Sequence, residues 1–349
     1  MDEARWLAGL ESQARDRLPA PVFEYLVQGA RDGVSAARAA DSWRSVRFLP
    51  HVLRDVTDVS LDVELLGQRV SVPWGVAPTT LQRAVHPAGE LAMARATAAA
   101  GGLMAVSSNA GTAFADIGAT GVHWWLQAYL PADRTLAEPM LDRAVAAGAS
   151  AVVLTVDTPV VAQKQHAGDA VWDAVDPAQL RVNFDPGYDE RPGAGKALDL
   201  GPHDVDWLAA RTGLPVVVKG VLRPDDALRC VQAGARAVWV SNHGGRQLDR
   251  AATTVEALPG VVAAVAGTAE VYVDGGVRSG LDLLAGLASG ADAVFLGRLP
   301  LYALVEGEAG VARMHAELLR QSVEAMRLSG CRTVPDTRDI ASEPWPNRL

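Results

Sequence analysis

The chain has 349 residues, of which 49% are hydrophobic and 21% are charged, with a formal net charge of −9 and a pI near 5.3. This acidic balance argues against nonspecific nucleic-acid binding, because phosphate contacts require a basic face. Two cysteines form neither a disulfide framework nor a metal cluster, and no apolar run is long enough for a membrane span. We therefore expect a cytoplasmic globular protein without a metal site.

The N-terminal segment, residues 1–69, predicts a cap built mainly of helices, with a short strand pair around Val63–Val70. From residue 70 to 330, apolar runs rich in β-formers alternate with alanine-rich helical stretches. Such continuous apolar runs are typical of parallel strands buried on both faces. The eight runs are Val70–Ala77, Leu103–Val106, Val122–Ala128, Ala151–Val156, Pro215–Val218, Ala237–Val240, Glu270–Val273 and Ala293–Leu296.

Eight strand–helix units favour an α/β fold of the closed (β/α)8 TIM-barrel type, with the whole chain, 1–349, as one domain. An open doubly wound sheet is the alternative, but it calls for a Gly-x-Gly-x-x-Gly turn after its first strand, where Pro78-Thr79-Thr80 stands. Residues 160–206, after the fourth strand, are polar and rich in Pro, Gly and Asp, which indicates an active-site lid or an inconsequential insertion. We expect residues 331–349 to form a C-terminal tail.

Polar residues or glycines follow every one of the eight predicted strands, where a barrel of this type builds its active site. Any single one is more often a hydrogen-bonded structural group, but eight together indicate a site. They are Pro78 and Thr79; Ser107; Gln127 and Tyr129; Thr155 and Asp157; Lys219; Ser241, His243 and Arg246; Asp274, Gly276 and Arg278; Gly297 and Arg298.

The densest of these clusters is Ser241–Asp249, which combines a base, an anion-binding group and two glycines. Neutral imidazole at His243 can accept a proton near pH 7, and the Arg246 guanidinium can bind a carboxylate through two hydrogen bonds. An ordinary polar turn explains the pattern equally well in isolation. The glycines and arginines of Asp274–Gly280 and Gly297–Arg298 further suit a phosphate group.

Lysine is rare, since only Lys164, Lys196 and Lys219 occur among the 32 basic residues. Lys219 ends an otherwise apolar strand. Beside a flavin, its charge would stabilise the anionic reduced ring, whereas a Schiff-base amine is the competing interpretation. His243 and Arg246 favour the flavin, because they suit a hydroxy-acid substrate.

Ser241–Asp249 resembles the signature of the FMN-dependent 2-hydroxy-acid oxidase/dehydrogenase family, which includes glycolate oxidase, lactate oxidase and mandelate dehydrogenases. The similarity runs from about Leu18 to Cys331 and includes Thr155–Pro159, Lys219-Gly220 and Asp274–Arg278. It implies an FMN-binding barrel that oxidises a 2-hydroxy acid to the 2-oxo acid. Electrons would pass through flavin N5 to O2, giving hydrogen peroxide, or to another acceptor.

The resemblance also implies a role for each site residue. His243 would be the base acting on the substrate hydroxyl or α-carbon, and Asp157 would stabilise its imidazolium. Arg246 would bind the substrate carboxylate, and Tyr25 and Tyr129 would donate hydrogen bonds to the substrate. The family resemblance also implies that the protein is a homotetramer. The FMN-binding residues would be Pro78, Thr79, Ser107, Gln127, Thr155, Lys219, Ser241, Asp274, Gly276, Arg278, Gly297 and Arg298.

Two positions depart from the family pattern. Lys164 stands where the family has a second carboxylate-binding arginine, and a lysine lacks the bidentate fork. Asn109 replaces a tryptophan of the glycolate-type members, which predicts a roomier, more polar pocket. We therefore expect a substrate larger than glycolate or lactate, such as an aryl or biosynthetic 2-hydroxy acid. The alternatives are a non-oxidative barrel of the type 2 isopentenyl diphosphate isomerase kind and a degenerate, non-catalytic barrel.

Overall fold

The computed structural model describes residues 5–164 and 170–342 and has a closed barrel of eight parallel strands at its centre. The barrel strands are consecutive along the chain, and the last one pairs with the first. In chain order the strands are β1 (Arg47–Phe48), β2 (Val63–Leu65), β3 (Gln68–Val70), β4 (Trp74–Val76), β5 (Leu103–Ser107), β6 (His123–Ala128), β7 (Val152–Thr155), β8 (Val216–Val221), β9 (Ala237–Val240), β10 (Glu270–Val273), β11 (Ala293–Leu296) and β12 (Ala341–Ser342).

The helices surround the barrel, and the α14 and α5 helices pack against each other over β4. They are α1 (Trp6–Arg17), α2 (Ala20–Val27), α3 (Val34–Trp43), α4 (Gln82–Val85), α5 (Gly89–Ala99), α6 (Phe114–Gly118), α7 (Glu138–Ala146), α8 (Ala170–Asp173), α9 (Pro202–Thr212), α10 (Pro224–Gln232), α11 (Thr254–Val265), α12 (Gly280–Ala288), α13 (Arg298–Leu304) and α14 (Gly307–Ser329). Short 3-10 turns occur at Arg134–Ala137, Pro177–Gln179, Tyr188–Glu190, His243–Gly245 and Val334–Asp339. Among the described residues, no helix has both the length and the apolarity needed to cross a bilayer.

The predicted (β/α)8 barrel is confirmed, and each predicted strand coincides with an observed one. β4 is shorter than the predicted run Val70–Ala77, because Val70 belongs to the antiparallel β2–β3 hairpin and Pro73 has no N–H to donate. The expected strand pair around residues 63–70 is this hairpin. The antiparallel pairing of β1 with β12 was not predicted.

Large aromatic side chains fill the barrel interior. Trp125, Trp239, Tyr272 and Phe295 are fully buried, and the Trp239 and Phe295 ring centroids are 3.9 Å apart. The β2–β3 hairpin covers the N-terminal end of the barrel, where the Leu66 N–H donates to a carboxylate oxygen of Glu270, the first residue of β10. The C-terminal strand ends are therefore the end available for a site.

Candidate active site

Side chains from neighbouring strands form a buried polar floor at the C-terminal end of the barrel. Gln127 Nε2 donates a hydrogen bond of 3.1 Å to Thr155 Oγ1. On the next strands, Lys219 Nζ donates to Ser241 Oγ at 2.7 Å and pairs with Asp274 Oδ2 at 3.1 Å. All five residues are buried. The structure thus brings these predicted cofactor-binding residues together.

Lys219 is held in place on three sides. Its ammonium contacts Ser241 and Asp274 and also lies 5.3 Å from the ring centroid of Trp239. A lysine with a carboxylate partner acts as a fixed positive charge, and these contacts therefore favour that role over an amine nucleophile. The following Gly220 has φ +111°, and a Cβ there would lie 2.7 Å from the Asp157 side chain. Glycine at this position therefore allows Asp157 to approach β8.

His243 and Asp157 form a hydrogen-bonded pair above this floor. His243 Nδ1 lies 3.0 Å from Asp157 Oδ1, and Thr158 Oγ1 donates to the same oxygen at 3.1 Å. Gln247 Nε2 in turn donates to Thr158 Oγ1 at 2.9 Å. Because Nδ1 faces the carboxylate, Nε2 is the ring nitrogen that remains to accept a proton.

Burial sets the charge states of this pair. It lowers the pKa of His243 below the usual value, although the charge and hydrogen bond of Asp157 act in the opposite direction. Burial alone would raise the pKa of Asp157, but the His243 charge and hydrogen bond, with the Lys219 charge, outweigh it and lower the pKa. Near neutral pH the pair is thus a neutral imidazole beside a carboxylate, which can act as a general base.

The loop that carries His243 has an unusual backbone. His243, Gly244 and Gly245 have φ values of 57°, 65° and 74°, three left-handed residues in succession. The histidine adopts this conformation at an energetic cost, a feature that often marks functional sites. At Gly245, a Cβ would lie 2.3 Å from the backbone nitrogen of Ala36. The loop therefore lies directly on the first turn of α3.

Asp249 fixes the same loop to the beginning of α3. Its carboxylate accepts hydrogen bonds from the backbone N–H groups of Asp32, Val34 and Ser35, at 3.2, 3.3 and 2.9 Å. These backbone hydrogen bonds lower the pKa of Asp249, and the bond from Ser35 has the largest effect on it. Asp249, the last residue of the signature, therefore caps the N-terminus of α3. Gly276 allows α3 to pack closely, because a Cβ there would lie 2.1 Å from the Ala39 carbonyl oxygen.

Three arginines lie close together without a carboxylate partner among the described residues. Arg246 Nη1 donates to the Tyr25 carbonyl at 2.7 Å, and its guanidinium lies 4.8 Å from the Tyr25 ring centroid. Arg298 donates to the Leu26 and Gly244 carbonyls, both at 2.9 Å. Burial, and then the charges of Arg246 and Arg278, lower the pKa of Arg298 to about 10. Such a cluster of like charges suits an anionic ligand.

These residues fit an FMN cofactor. Arg278 and Arg298 can bind its phosphate, and Gln127 and Lys219 offer donors to the flavin ring. Asp274 Oδ1 is buried without a hydrogen-bond partner among the described atoms, and it can accept a hydrogen bond from a ligand hydroxyl. Among the described residues, no group of three or more His, Cys, Asp or Glu side chains could hold a metal ion.

The first, second and last barrel strands place the remaining predicted cofactor residues at the same end. Pro78 and Thr79 follow β4, and the Thr79 hydroxyl accepts a hydrogen bond of 3.2 Å from Gln82 Nε2. Gly297 follows β11, and a Cβ there would meet nothing within 4 Å. Ser107 Oγ accepts from the Asn109 backbone N–H at 3.1 Å and so shapes the turn after β5.

Lys164 and Asn109 lie at the rim of the site. Lys164 Nζ donates a hydrogen bond to the Arg246 carbonyl oxygen. Burial, and then the charges of Arg246 and Lys196, lower the pKa of Lys164 to about 8. Asn109 Oδ1 accepts a hydrogen bond of 2.8 Å from Arg181 Nη1. The rim is thus polar where a tryptophan would make it apolar.

Lys196 is a rim residue to which the sequence prediction assigned no role. Its ammonium lies 3.8 Å from the ring centroid of Tyr129. Burial lowers the pKa of Lys196 to about 8. The Asp157 charge acts against this shift, and the Arg181 charge adds to it. All three lysines of the chain therefore lie at the barrel mouth. The rarity of lysine in the sequence is the feature that could have pointed to Lys196.

Comparison with known proteins agrees with this geometry. The model of the family "FMN-dependent dehydrogenase" matches residues 14–342. A 4-hydroxymandelate oxidase of Amycolatopsis orientalis is 39% identical, over 96% of this chain and 97% of the relative. An L-lactate oxidase of Nostoc sp. is 38% identical, over 93% of this chain and 94% of the relative.

Solved structures show the same relationship. A crystal structure of mandelate oxidase with benzoyl-formic acid has a TM-score of 0.88 and 38% sequence identity, over 96% of this chain and 97% of that one. The family expected from the sequence is confirmed, and neither the isomerase nor the degenerate barrel is supported. The chain thus belongs to the FMN-dependent dehydrogenase family and is an FMN-dependent oxidase that acts on the CH–OH group of a 2-hydroxy acid.

Proposed function

We propose that the enzyme oxidises a 2-hydroxy acid larger than glycolate or lactate, with an aryl side chain such as that of mandelate, to the 2-oxo acid. O2 accepts the two electrons and two protons and becomes hydrogen peroxide. The observation that carries the chemistry is the His243–Asp157 pair beside Arg246. The relatives named 4-hydroxymandelate oxidase and mandelate oxidase support the aryl class.

His243 is the base in this proposal. Its Nε2 accepts a proton from the substrate, from the hydroxyl or the α-carbon, and Asp157 stabilises the imidazolium that results. Arg246 and Lys164 bind the carboxylate and so orient the α-carbon toward His243. FMN, when bound, supplies the two-electron acceptor.

Tyr129 completes the contacts to the substrate. Burial, followed by the Asp157 charge, raises the pKa of its hydroxyl well above the usual value. The hydroxyl therefore stays protonated and donates a hydrogen bond to the substrate throughout the working pH range. Lys219, paired with Asp274, would supply a positive charge to bound FMN, and such a charge stabilises an anionic reduced ring.

An apolar wall next to Tyr25 favours an aryl side chain. The Trp172 ring of α8 meets the Tyr25 ring edge-on, with centroids 5.8 Å apart. Behind them, Val171 and Val175 are buried against Leu81. Aromatic rings prefer such edge-on and offset neighbours, which makes this wall suitable for a phenyl group.

Anaerobic flavin reduction by a panel of glycolate, L-lactate, mandelate and 4-hydroxymandelate tests the proposal. We expect mandelate and its 4-hydroxy derivative to bleach the flavin absorbance with a kcat/KM roughly tenfold or more above that of glycolate. Air admitted afterwards should restore the absorbance and produce hydrogen peroxide. A preference for glycolate would reject the substrate class, and a reduced flavin that is stable in air would reject O2 as the acceptor. His243→Asn is the control, because it should retain FMN without bleaching.

We also propose cytoplasmic residence and a homotetrameric state. The acidic composition and the family resemblance support them. Light scattering coupled to size exclusion tests the assembly, with an expected mass of four times 36.7 kDa. A monomer or dimer mass at working concentration would contradict it.

A further inference from the structure

We propose that Lys196 is a specificity-determining residue that binds a second anionic group on the substrate side chain. The preferred substrates are then 2-hydroxy acids with a second carboxylate at the far end, either aryl or aliphatic. This inference rests on the proposed function, because it assumes that Arg246 and Lys164 bind the first carboxylate.

Lys196 is held in position by backbone pairing. The Ala197 N–H donates to the Leu130 carbonyl at 2.9 Å, and the Ala132 N–H donates to the Gly195 carbonyl at 2.8 Å. Lys196 itself forms a bridge with Pro131. The partner segment follows directly on Tyr129, so the backbone of Lys196 is aligned with that of a proposed substrate-binding residue. Its ammonium is therefore preorganised rather than mobile as on an ordinary surface.

The Lys196 ammonium has no ion-pair partner among the described residues. It lies against the face of Tyr129, 3.8 Å from the ring centroid, and its side chain is half-buried. The acidic group whose charge acts on it is Asp157, which is already hydrogen-bonded to His243. A partly desolvated cation that lacks a counter-ion gains most from an anionic ligand.

Charge balance at the rim points the same way. Arg246 and Lys164 provide the two cations that the family pattern assigns to a single carboxylate, which leaves Lys196 in excess among the rim residues that the structure describes. Arg181, the other nearby cation, is neutralised by Asp189 through hydrogen bonds of 3.2 and 2.8 Å. Its guanidinium also contacts Asn109, so the wall that is apolar in glycolate-type members is polar here. A second anion matches the surplus charge.

Lys196 could instead act only by packing on Tyr129, and matched substrates distinguish the two roles. One pair is 4-carboxymandelate and 4-carbamoylmandelate, and the other is 2-hydroxyglutarate and its γ-amide. Within each pair the shape is nearly constant and only the distal charge changes. A packing role predicts equal effects on both members, whereas an anion-binding role predicts an effect on the dianion alone.

The experiment measures kcat/KM for anaerobic flavin reduction in the wild-type holoenzyme, Lys196→Met and Lys196→Arg. We expect wild type to prefer the dianion of at least one pair by roughly tenfold, from one charge-assisted hydrogen bond. Lys196→Met should abolish that preference by slowing only the dianion, and Lys196→Arg should retain most of it. Equal losses for both members in Lys196→Met, or no dianion preference in wild type, would overturn the inference.

A binding measurement separates this outcome from failure of the proposed function. The corresponding 2-oxo acids, 2-oxoglutarate and its γ-amide among them, should perturb the flavin spectrum with a Kd that depends on Lys196 only for the dianions. If no 2-hydroxy acid bleaches the flavin, the proposed function fails, and these Kd values still decide the role of Lys196. Equal Kd values for dianion and amide would overturn it.

Discussion

Replacing Lys164 by arginine should remove an alkaline loss of substrate affinity. With a pKa of about 8, the Lys164 ammonium is charged below pH 8 and neutral above it. Its charged fraction falls from about nine tenths at pH 7 to about one tenth at pH 9, so kcat/KM for mandelate should fall about tenfold over this range. A guanidinium stays charged, and kcat/KM of Lys164→Arg should therefore stay nearly constant between pH 7 and pH 9.

The assay is kcat/KM for anaerobic flavin reduction between pH 5 and pH 10, which reports the groups of the free enzyme. On the acid side, kcat/KM should fall in both proteins as His243 becomes protonated, below its usual pKa because burial lowers it. Lys196→Met is the matched control, since it removes the other rim lysine yet should keep an alkaline loss with a monoanionic substrate. That loss should move to higher pH, because the Lys196 charge lowers the pKa of Lys164. An unchanged alkaline limb in Lys164→Arg would refute the role of Lys164.

Three further predictions concern the base, the flavin and the loop. Asp157→Asn should lower the rate of anaerobic flavin reduction roughly a hundredfold. It should also shift the acid limb of the pH profile to lower pH, because the Asp157 charge raises the pKa of His243. An unshifted acid limb would contradict the pairing of the two residues. Lys219→Met should make the flavin reduction potential roughly 40 mV more negative in a potentiometric titration, and an unchanged potential would exclude a charge effect. Gly245→Ala should reduce the free energy of unfolding by roughly 2–4 kcal/mol in a denaturant titration, because the new Cβ would collide with α3. The control Gly267→Ala should cost about 1 kcal/mol, since φ there is similarly positive but no atom lies nearby. Equal losses in the two variants would show that contact with α3 is unimportant.

The barrel and the floor of its site could be predicted from the sequence because their signals are local. Each strand is one apolar run, and the polar residues near its C-terminal end lie at the mouth of the barrel. Gln127, Thr155 and Lys219 are examples, since each lies near the C-terminal end of its strand. For the same reason most strands were predicted to within one residue at each end, with β4 and β8 as the exceptions.

Contacts between distant segments could not be predicted in this way. Lys196 reaches Tyr129 because residues 193–197 pair with residues 130–133, and neither segment carries a recognisable strand pattern. Asp249 lies in the most recognisable motif, but its partners are N–H groups just before and at the start of α3, more than 200 positions earlier. The β1–β12 pair consists of two residues on each side, too few for a periodic signal.

The described parts of the predicted lid, residues 160–164 and 170–206, are attached to the rest of the protein at both ends. At one end the Arg31 N–H donates to the Gln163 carbonyl, and at the other residues 193–197 pair with the segment after Tyr129. Mutations between these two attachment points can reshape the rim of the barrel mouth without displacing Lys164 or Lys196. Under the roles proposed for Lys164, Lys196 and His243, such changes would alter which substrates bind and leave the proton-accepting pair of His243 and Asp157 in place.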